Sequence, residues 1–169
     1  WALDRDHGVV HTAGVSLTQK RALLLRFTLK QIPAGQRIVH AELIVPVARI
    51  GGPEPRFYLW RLLSDWGRGV CYRYRFAGEK KVPWNSPGAA GISSDRSIRP
   101  TDVVRLPRAA EAVINVTEDV ELWHSGMSQN YGWVLTVEDP GVRVDLNSPI
   151  WDTPRAWTLR ITYEPEPEH

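Results

Sequence analysis

The stretch "IVHAELIVPV", residues 38–47, places an apolar side chain at every second position. Successive side chains of a β-strand point to opposite faces, so this period of two predicts a strand with one buried face. The residues predicted to point into a core are Val39, Ala41, Leu43, Val45 and Val47. Because the same pattern returns elsewhere in the chain, this stretch decides the fold class.

Two further segments, "RALLLRFTL" (21–29) and "AWTLRITY" (156–163), show the same alternation. The predicted inward side chains there are Leu23, Leu25, Phe27, Leu29, Trp157, Leu159, Ile161 and Tyr163. Clusters of Pro, Gly, Asn, Asp and Ser separate the apolar runs and indicate turns. The strands are too closely spaced for crossover helices, which argues against a parallel α/β fold. We therefore expect an all-β protein, a sandwich of two antiparallel sheets.

The length of the chain fits one domain, and its net charge indicates no strongly charged partner. The chain has 169 residues, a formal charge of +2, eight tryptophans and one cysteine, Cys71. A chain of this length buries roughly 70% of its unfolded surface, so it needs no disulfide. A single cysteine excludes zinc knuckles and iron–sulfur centres, and the near-neutral charge disfavours nucleic acid.

The expected organisation is one module over residues 1–163, followed by a solvated linker, "EPEPEH", over 164–169. Since the chain opens at Trp1 rather than Met, we expect it to be a piece of a longer protein. It contains no apolar run near the roughly 20 residues that cross a bilayer, so we expect no membrane insertion. Residues 64–111 are only weakly periodic and are predicted to form a long decorated loop.

The stretch "NVTEDVELWHSGMSQNYGWVL" (115–135) contains acids, a histidine and a serine, the residue types that many active sites use. Its spacing instead predicts one short helix near residues 117–125, with Thr117 as the cap, the acids outward, and Val120 and Trp123 inward. Glu118 and His124 would then lie on different sides of the helix and would not converge on one substrate atom. We interpret this stretch as structural.

Three other constellations also favour structural interpretations. His7 and His11 would lie roughly 13 Å apart on a strand, too far to share a metal ion. Asp4 and Asp6 have the oxygen ligands that calcium prefers, although solvated acids near a terminus are the simpler interpretation. Cys71 lies between arginines, but no base is identifiable near it. We therefore predict no catalytic residue, metal site or cofactor.

The most informative functional segment is "WGRGVCYRYRFAGEKKVPWNSPG" (66–88), in which aromatic and basic residues alternate. Aromatic rings stack on the apolar faces of sugars, and arginine binds carboxylate or sulfate with two parallel hydrogen bonds. The candidate carbohydrate-binding residues are Tyr72, Arg73, Tyr74, Arg75, Lys80, Trp84 and Trp151. The alternative is that the aromatics belong to the core and the arginines to a solvated face, as in any half-buried strand.

Several segments together resemble the DNRLRE-domain family, the disaggregatase-related repeats allied to alginate-binding carbohydrate-binding modules. These segments, in order, are "LLLRFTLKQIPAGQRIVHAELIV" (23–45), Trp66, "PWNSPGAAG" (83–91), "INVTEDVELWHSGMSQNYGWVL" (114–135) and "RAWTLRITYEP" (155–165). Thr28 and residues 147–157 depart from the family pattern. The resemblance implies a jelly-roll-type β-sandwich, one module of a secreted or cell-surface bacterial protein, with no catalytic residues.

The resulting prediction is a non-catalytic extracellular module that binds polysaccharide, preferably an acidic one, next to neighbouring domains of its parent protein. A structural or adhesion spacer without a small ligand is the main alternative. An enzyme would need carboxylates from distant segments to converge. Binding of nucleic acid through the segment 66–88 is disfavoured because no single-strand-binding motif is present.

Overall fold

The structure is a computed structural model that describes residues 16–106, 111–147 and 157–167, and the backbone alone of 2–4, 9–10 and 15. These residues form strands and one helix. In chain order they are β1 (Ala2–Asp4), β2 (Val9–Val10), β3 (Val15–Leu17), β4 (Leu23–Arg26), β5 (Gln36–Gly51), β6 (Arg56–Arg61), β7 (Tyr74–Ala77), β8 (Lys81–Pro83), β9 (Asp102–Arg105), β10 (Glu111–Asn115), α1 (Thr117–His124), β11 (Trp133–Val137), β12 (Arg143–Leu146) and β13 (Thr158–Pro165).

Two sheets carry the fold. The first has six strands in the order β2-β1-β4-β11-β6-β9, and all its pairs are antiparallel except β1 with β4. The second is built around β5, a strand of sixteen residues that pairs antiparallel with β10, β12 and β13, while β12 also pairs with β3. The predicted all-β sandwich of antiparallel sheets is confirmed, whereas the jelly-roll connectivity stays a prediction.

Apolar side chains of both sheets meet in one core. Leu23, Leu25 and Phe27 are buried there as the alternation predicts, and Trp157 joins them from the chain just before β13. The core also takes in Phe57 and Leu59 of β6, Trp133 and Leu135 of β11, and Val144 and Leu146 of β12. Each such side chain contributes about 1.5–3 kcal/mol when it leaves water, so the shared core holds the sheets together.

A bulge corrects the prediction for the start of β5. Ala41, Leu43, Val45 and Val47 are buried as predicted, but Val39 is 42% exposed and Ile38 is only 4% exposed. The register with β13 shifts there, since Thr162 pairs with His40 and Tyr163 pairs with Ile38. Val39 is therefore the extra residue of a β-bulge, because its neighbours Ile38 and His40 pair with adjacent residues of β13. The bulge reverses which face of the sheet the residues before it point to.

The pairing of β13 with β5 also corrects the predictions for residues 163–165. Tyr163 was predicted to point inward but is exposed. The strand β13 continues through Glu164 and Pro165, which pair with Arg37 and Gln36 of β5. Pairing therefore extends two residues into the stretch predicted to be a linker.

A second apolar cluster lies on the outer face of the six-stranded sheet. Leu24, Trp60 and Val134 alternate with the inward residues of their strands and therefore point away from the main core. Residues of the long segment 64–101 cover them, notably Trp66 and others of the same cluster. The segment that fits the strand pattern poorly thus folds over the sheet as a second layer, with the two-stranded sheet of β7 and β8 within it.

The helix α1 confirms the prediction of a short helix near 117–125, with Val120 and Trp123 buried. Two details were wrong. Thr117 does not cap the helix: its Oγ1 accepts a hydrogen bond from Ala41 N at 2.9 Å, on β5. Not all the acids point outward either, because Asp119 is buried. The hydroxyl fastens the start of the helix to the sheet.

Candidate binding cleft

A cleft of about 650 Å³ opens on the outer side of the six-stranded sheet. Leu24 of β4 and Thr136 of β11 contribute to its lining from the sheet. Residues 18–22 contribute on one side, and the long segment contributes Val70, Cys71, Tyr72, Trp84 and residues 87–90. Arg96 and Glu138 add one cation and one anion to the lining. The cleft therefore offers apolar surface, an aromatic ring and charged groups together.

Tyr72 is the aromatic ring available to a ligand, since it is 62% exposed. The neighbouring loop holds it in place. Gly88 N donates to Tyr72 O at 2.6 Å, and a Cβ added at Gly88 would lie 3.0 Å from the ring. Gly88 has a φ of +80° and the following Ala89 a φ of +56°, which is rare for a residue with a side chain. A strained backbone beside a cleft is typical of functional sites.

Trp84 was predicted as a sugar-binding ring, but it is only 4% exposed. Its Nε1 donates to Cys71 O at 3.0 Å, and its backbone N donates to Arg73 O at 3.1 Å. A ring with so little exposed surface has no face left for a sugar, so the prediction for Trp84 is corrected. Its side chain instead belongs to the second apolar cluster and supports the backbone on either side of Tyr72.

The basic and aromatic residues of the hairpin lie outside the cleft lining. Tyr74 is half-buried, and Lys81 Nζ lies 5.7 Å from the centroid of its ring. Arg75 is half-buried too, and its Nη1 donates to Asp65 O at 3.0 Å. Arg73 and Lys80 are exposed. Of the predicted site residues, only Tyr72 and Trp84 contact the cleft. Trp151 lies outside the described residues.

Arg96 is the cleft residue that the sequence prediction missed. Its guanidinium lies over Trp60, with Cζ 3.9 Å from the ring centroid, and its Nη2 lies 3.8 Å from Glu138 Oε1. Burial lowers the pKa of Arg96 more than Glu138 raises it. No local signal in "SSDRSIRP" (93–100) distinguishes this arginine from its neighbours, because the arrangement depends on β6 and β11.

Asp95 organises the loop that carries Arg96. It is almost fully buried, and its carboxylate accepts hydrogen bonds from the backbone N–H groups of Asn85, Ser86 and Gly91 at 2.8–3.0 Å. Three donors from one loop satisfy a carboxylate that water cannot reach. The buried acid therefore fixes the path of residues 85–91 beside the cleft, a role that the sequence prediction did not include.

Asp119 is a second buried carboxylate, located between the sheets. It accepts from Trp133 Nε1 at 2.7 Å and from Thr101 Oγ1 at 2.6 Å, and Arg61 Nε lies 3.0 Å from its Oδ1. Burial raises the pKa of Asp119, although the hydrogen bonds from Thr101 and Trp133 and the charge of Arg61 oppose the change. The acid ties α1 to β6 and β11, so its role is structural.

The Thr117 hydroxyl of α1 and the His40 and Glu42 side chains of β5 form a chain of contacts. His40 Nδ1 is 3.3 Å from Thr117 Oγ1, and His40 Nε2 is 3.1 Å from Glu42 Oε1. The Thr117 hydroxyl donates to Asn115 Oδ1 at 2.8 Å and accepts from Ala41 N. Its hydrogen bonds thus join α1 to β5. The hydrogen bond from His40 is the main cause that lowers the pKa of Glu42.

His124 lies in the last turn of α1 and is half-buried, and its Nε2 donates to Gln36 O at 2.8 Å. Within the described ranges, no group of three or more His, Cys, Asp or Glu side chains is arranged to hold a metal ion. Asp6, His7, His11 and the side chain of Asp4 lie outside the described residues. Cys71 is exposed and free.

No family model, curated protein or solved structure matches this chain. The resemblance to the DNRLRE-domain family therefore stays a prediction that rests on the motifs quoted above. In the part of the chain that the structure describes, no helix is long and apolar enough to cross a bilayer.

Proposed function

We propose that this chain is a non-catalytic carbohydrate-binding module that binds a polysaccharide, preferably an acidic one, in the cleft beside Tyr72. The observation that carries the proposal is the exposed Tyr72 ring, held by Gly88 at the edge of a cleft of about 650 Å³. A cleft of this size is in the range of small-molecule sites. The motif resemblance adds an extracellular or cell-surface location in a bacterial protein.

The chemistry of the lining suits a sugar. A tyrosine ring offers an apolar face to the C–H groups of a sugar ring while its hydroxyl contacts water. Gln19 and Lys20 supply polar groups to the lining, and Arg96 supplies a largely buried cation. Arg73 and Lys80 are exposed and lie outside the lining, whereas Arg21 adds a further cation to it. An acidic chain would thus meet an aromatic ring and several cations.

Isothermal titration calorimetry against a panel of acidic and neutral polysaccharides tests the proposal, with Tyr72→Ala as the diagnostic variant. If a sugar removes roughly 60 Å² of the exposed ring from water, at about 25 cal/mol/Å² the stacking amounts to about 1.5 kcal/mol. We therefore expect Tyr72→Ala to weaken binding about tenfold. Tyr163→Ala is the matched control, because Tyr163 is also exposed but lies on β13 of the other sheet.

The alternative function is a structural or adhesion spacer without a small ligand. The burial of Trp66 and Trp84 favours it, because these rings of the long segment stabilise the fold instead of facing a ligand. The same titrations decide between the two functions. If wild type binds none of the acidic or neutral polysaccharides, the carbohydrate proposal is refuted and the spacer function is favoured.

A further inference from the structure

Arg96 has fewer partners than a buried arginine normally has. Its side chain is 13% exposed, and Nη2 lies 3.8 Å from Glu138 Oε1, which is longer than a hydrogen bond. Its Nε is buried and has no hydrogen-bond partner among the described residues. A guanidinium has five N–H donors, and buried polar groups are nearly always satisfied. The cleft therefore contains a cation with unused donors.

The position of the guanidinium leaves Nη1 and Nη2 as the usable donors, because Nε is fully buried. Trp60 lies against the flat face of the group, and the N–H bonds of a guanidinium lie in its plane, so stacking leaves them free to bind an oxyanion. The backbone is fixed as well, since Arg96 N donates to Gly91 O at 3.0 Å and Ser93 N donates to Arg96 O at 2.8 Å. A bound oxyanion would meet a cation that is already in place.

Glu138 is the anion closest to this cation, and it is weakly held. Its side chain is exposed, and in the described part of the chain its carboxylate accepts one side-chain hydrogen bond, a long one of 3.4 Å from Thr136 Oγ1. An ion pair at such a distance, with one partner exposed to solvent, contributes little. The carboxylate nevertheless places a negative charge where an anionic ligand would bind, so it would oppose that ligand by charge repulsion.

We propose that Arg96 binds an oxyanion carried by a sugar, a carboxylate or a sulfate, and that Glu138 is the internal anion that this ligand displaces. The inference rests on the proposed function, since the sugar is taken to enter the same cleft. It assigns selectivity for charge to Arg96 and affinity for the sugar ring to Tyr72. Glu138 then limits how tightly an acidic ligand binds.

Titration calorimetry with two matched ligands tests this assignment. One ligand is an oligogalacturonate, and the other is the same oligomer with its carboxyl groups fully methyl-esterified, which removes the charge and keeps the sugar rings. A sulfated galactan oligomer is the third probe and distinguishes sulfate from carboxylate. We expect wild type to prefer one or both anionic ligands over the ester about tenfold, as a hydrogen-bonded charge pair of about 1.4 kcal/mol requires.

Two variants at the pair have opposite expected effects. Arg96→Met keeps an unbranched side chain over Trp60 and should remove most of the preference for the anionic ligand while leaving binding of the ester unchanged. The remainder would come from Lys20 and Arg21 of the lining. Glu138→Gln should tighten binding of the anionic ligand about threefold, the scale of an exposed ion pair, and should not affect the ester. The matched control is Arg49→Met, an exposed arginine of β5 in the other sheet, which should change neither affinity.

The outcomes separate the two proposals. If wild type binds none of the three ligands and no member of the polysaccharide panel, both the proposed function and this inference are refuted. If wild type binds the ester as tightly as both anionic oligomers, or if Glu138→Gln weakens anionic binding, the module function stands and the role of Arg96 is refuted. Should Arg96→Met fail to fold, Glu138→Gln and the shift of the Arg96 Nε–H signal in wild-type NMR titrations decide the same question.

Discussion

Replacing Asp119 with alanine should be among the most destabilising single changes in this protein. The carboxylate satisfies the indole N–H of Trp133, which is fully buried, and faces the guanidinium of Arg61. Leaving a buried donor unsatisfied costs about 1–3 kcal/mol, and removing one partner of a buried ion pair costs about 3–5 kcal/mol. Arg61 retains a hydrogen bond to Ser128 and some solvent contact, so we expect a total near the lower end, about 3 kcal/mol.

Urea unfolding followed by tryptophan fluorescence measures this loss, because α1 places Trp123 against Trp133 with ring centroids 4.6 Å apart. Glu121→Ala is the matched control, since Glu121 is an exposed acid of the same helix and should change stability by less than about 0.5 kcal/mol. If Asp119→Ala loses no more stability than Glu121→Ala, the account of a buried carboxylate that supports α1 is wrong.

The pH dependence of the same site supplies an independent check. Burial raises the pKa of Asp119 above its ordinary value of 3.8. The folded protein therefore holds this proton to higher pH than the unfolded chain, so the stability linked to the proton is complete below the unfolded pKa and is lost as pH rises through the folded pKa. Asp119→Asn removes the titration. The stability of wild type relative to Asp119→Asn should therefore fall as pH rises above about 3.8 and then level off; a rise instead would contradict the stated direction.

Three further predictions concern packing and can be measured by chemical unfolding. Trp84→Ala should lower the free energy of unfolding by about 3–5 kcal/mol, because the ring fills the second apolar cluster. A loss below about 1 kcal/mol would mean that the cluster does not stabilise the fold. Gly132→Ala should lower the free energy of unfolding by more than about 2 kcal/mol, since its φ is +77° and an added Cβ would lie 2.1 Å from Leu25 O. An unchanged stability would refute this close approach of residue 132 to β4. Ile38→Asp should unfold the protein, whereas Val39→Asp should change the free energy of unfolding by no more than about 1 kcal/mol. The reverse result would show that β5 has no bulge at this position.

The candidate site was only partly predictable, and particular residues show why. Tyr72 stood out because it belongs to an alternating aromatic and basic segment, and the structure places it at the cleft. Trp84 stood out for the same reason but is buried, since a sequence pattern does not reveal whether a second layer covers a ring. Arg96 carries no local pattern at all. Its environment arises from Trp60 and Glu138, which are distant in sequence.

The sequence by itself determined the all-β class, the short helix near 117–125 and the inward face of β4 and of most of β5. These features depend on the local period of side chains along the backbone. Tertiary structure alone decided which of Ile38 and Val39 is buried, since that depends on the register with β13. It also decided that residues 64–101 cover one sheet and that Asp95 and Asp119 are buried. A buried carboxylate is stable only where donors from distant strands or loops converge on it, and only the folded chain brings those donors together.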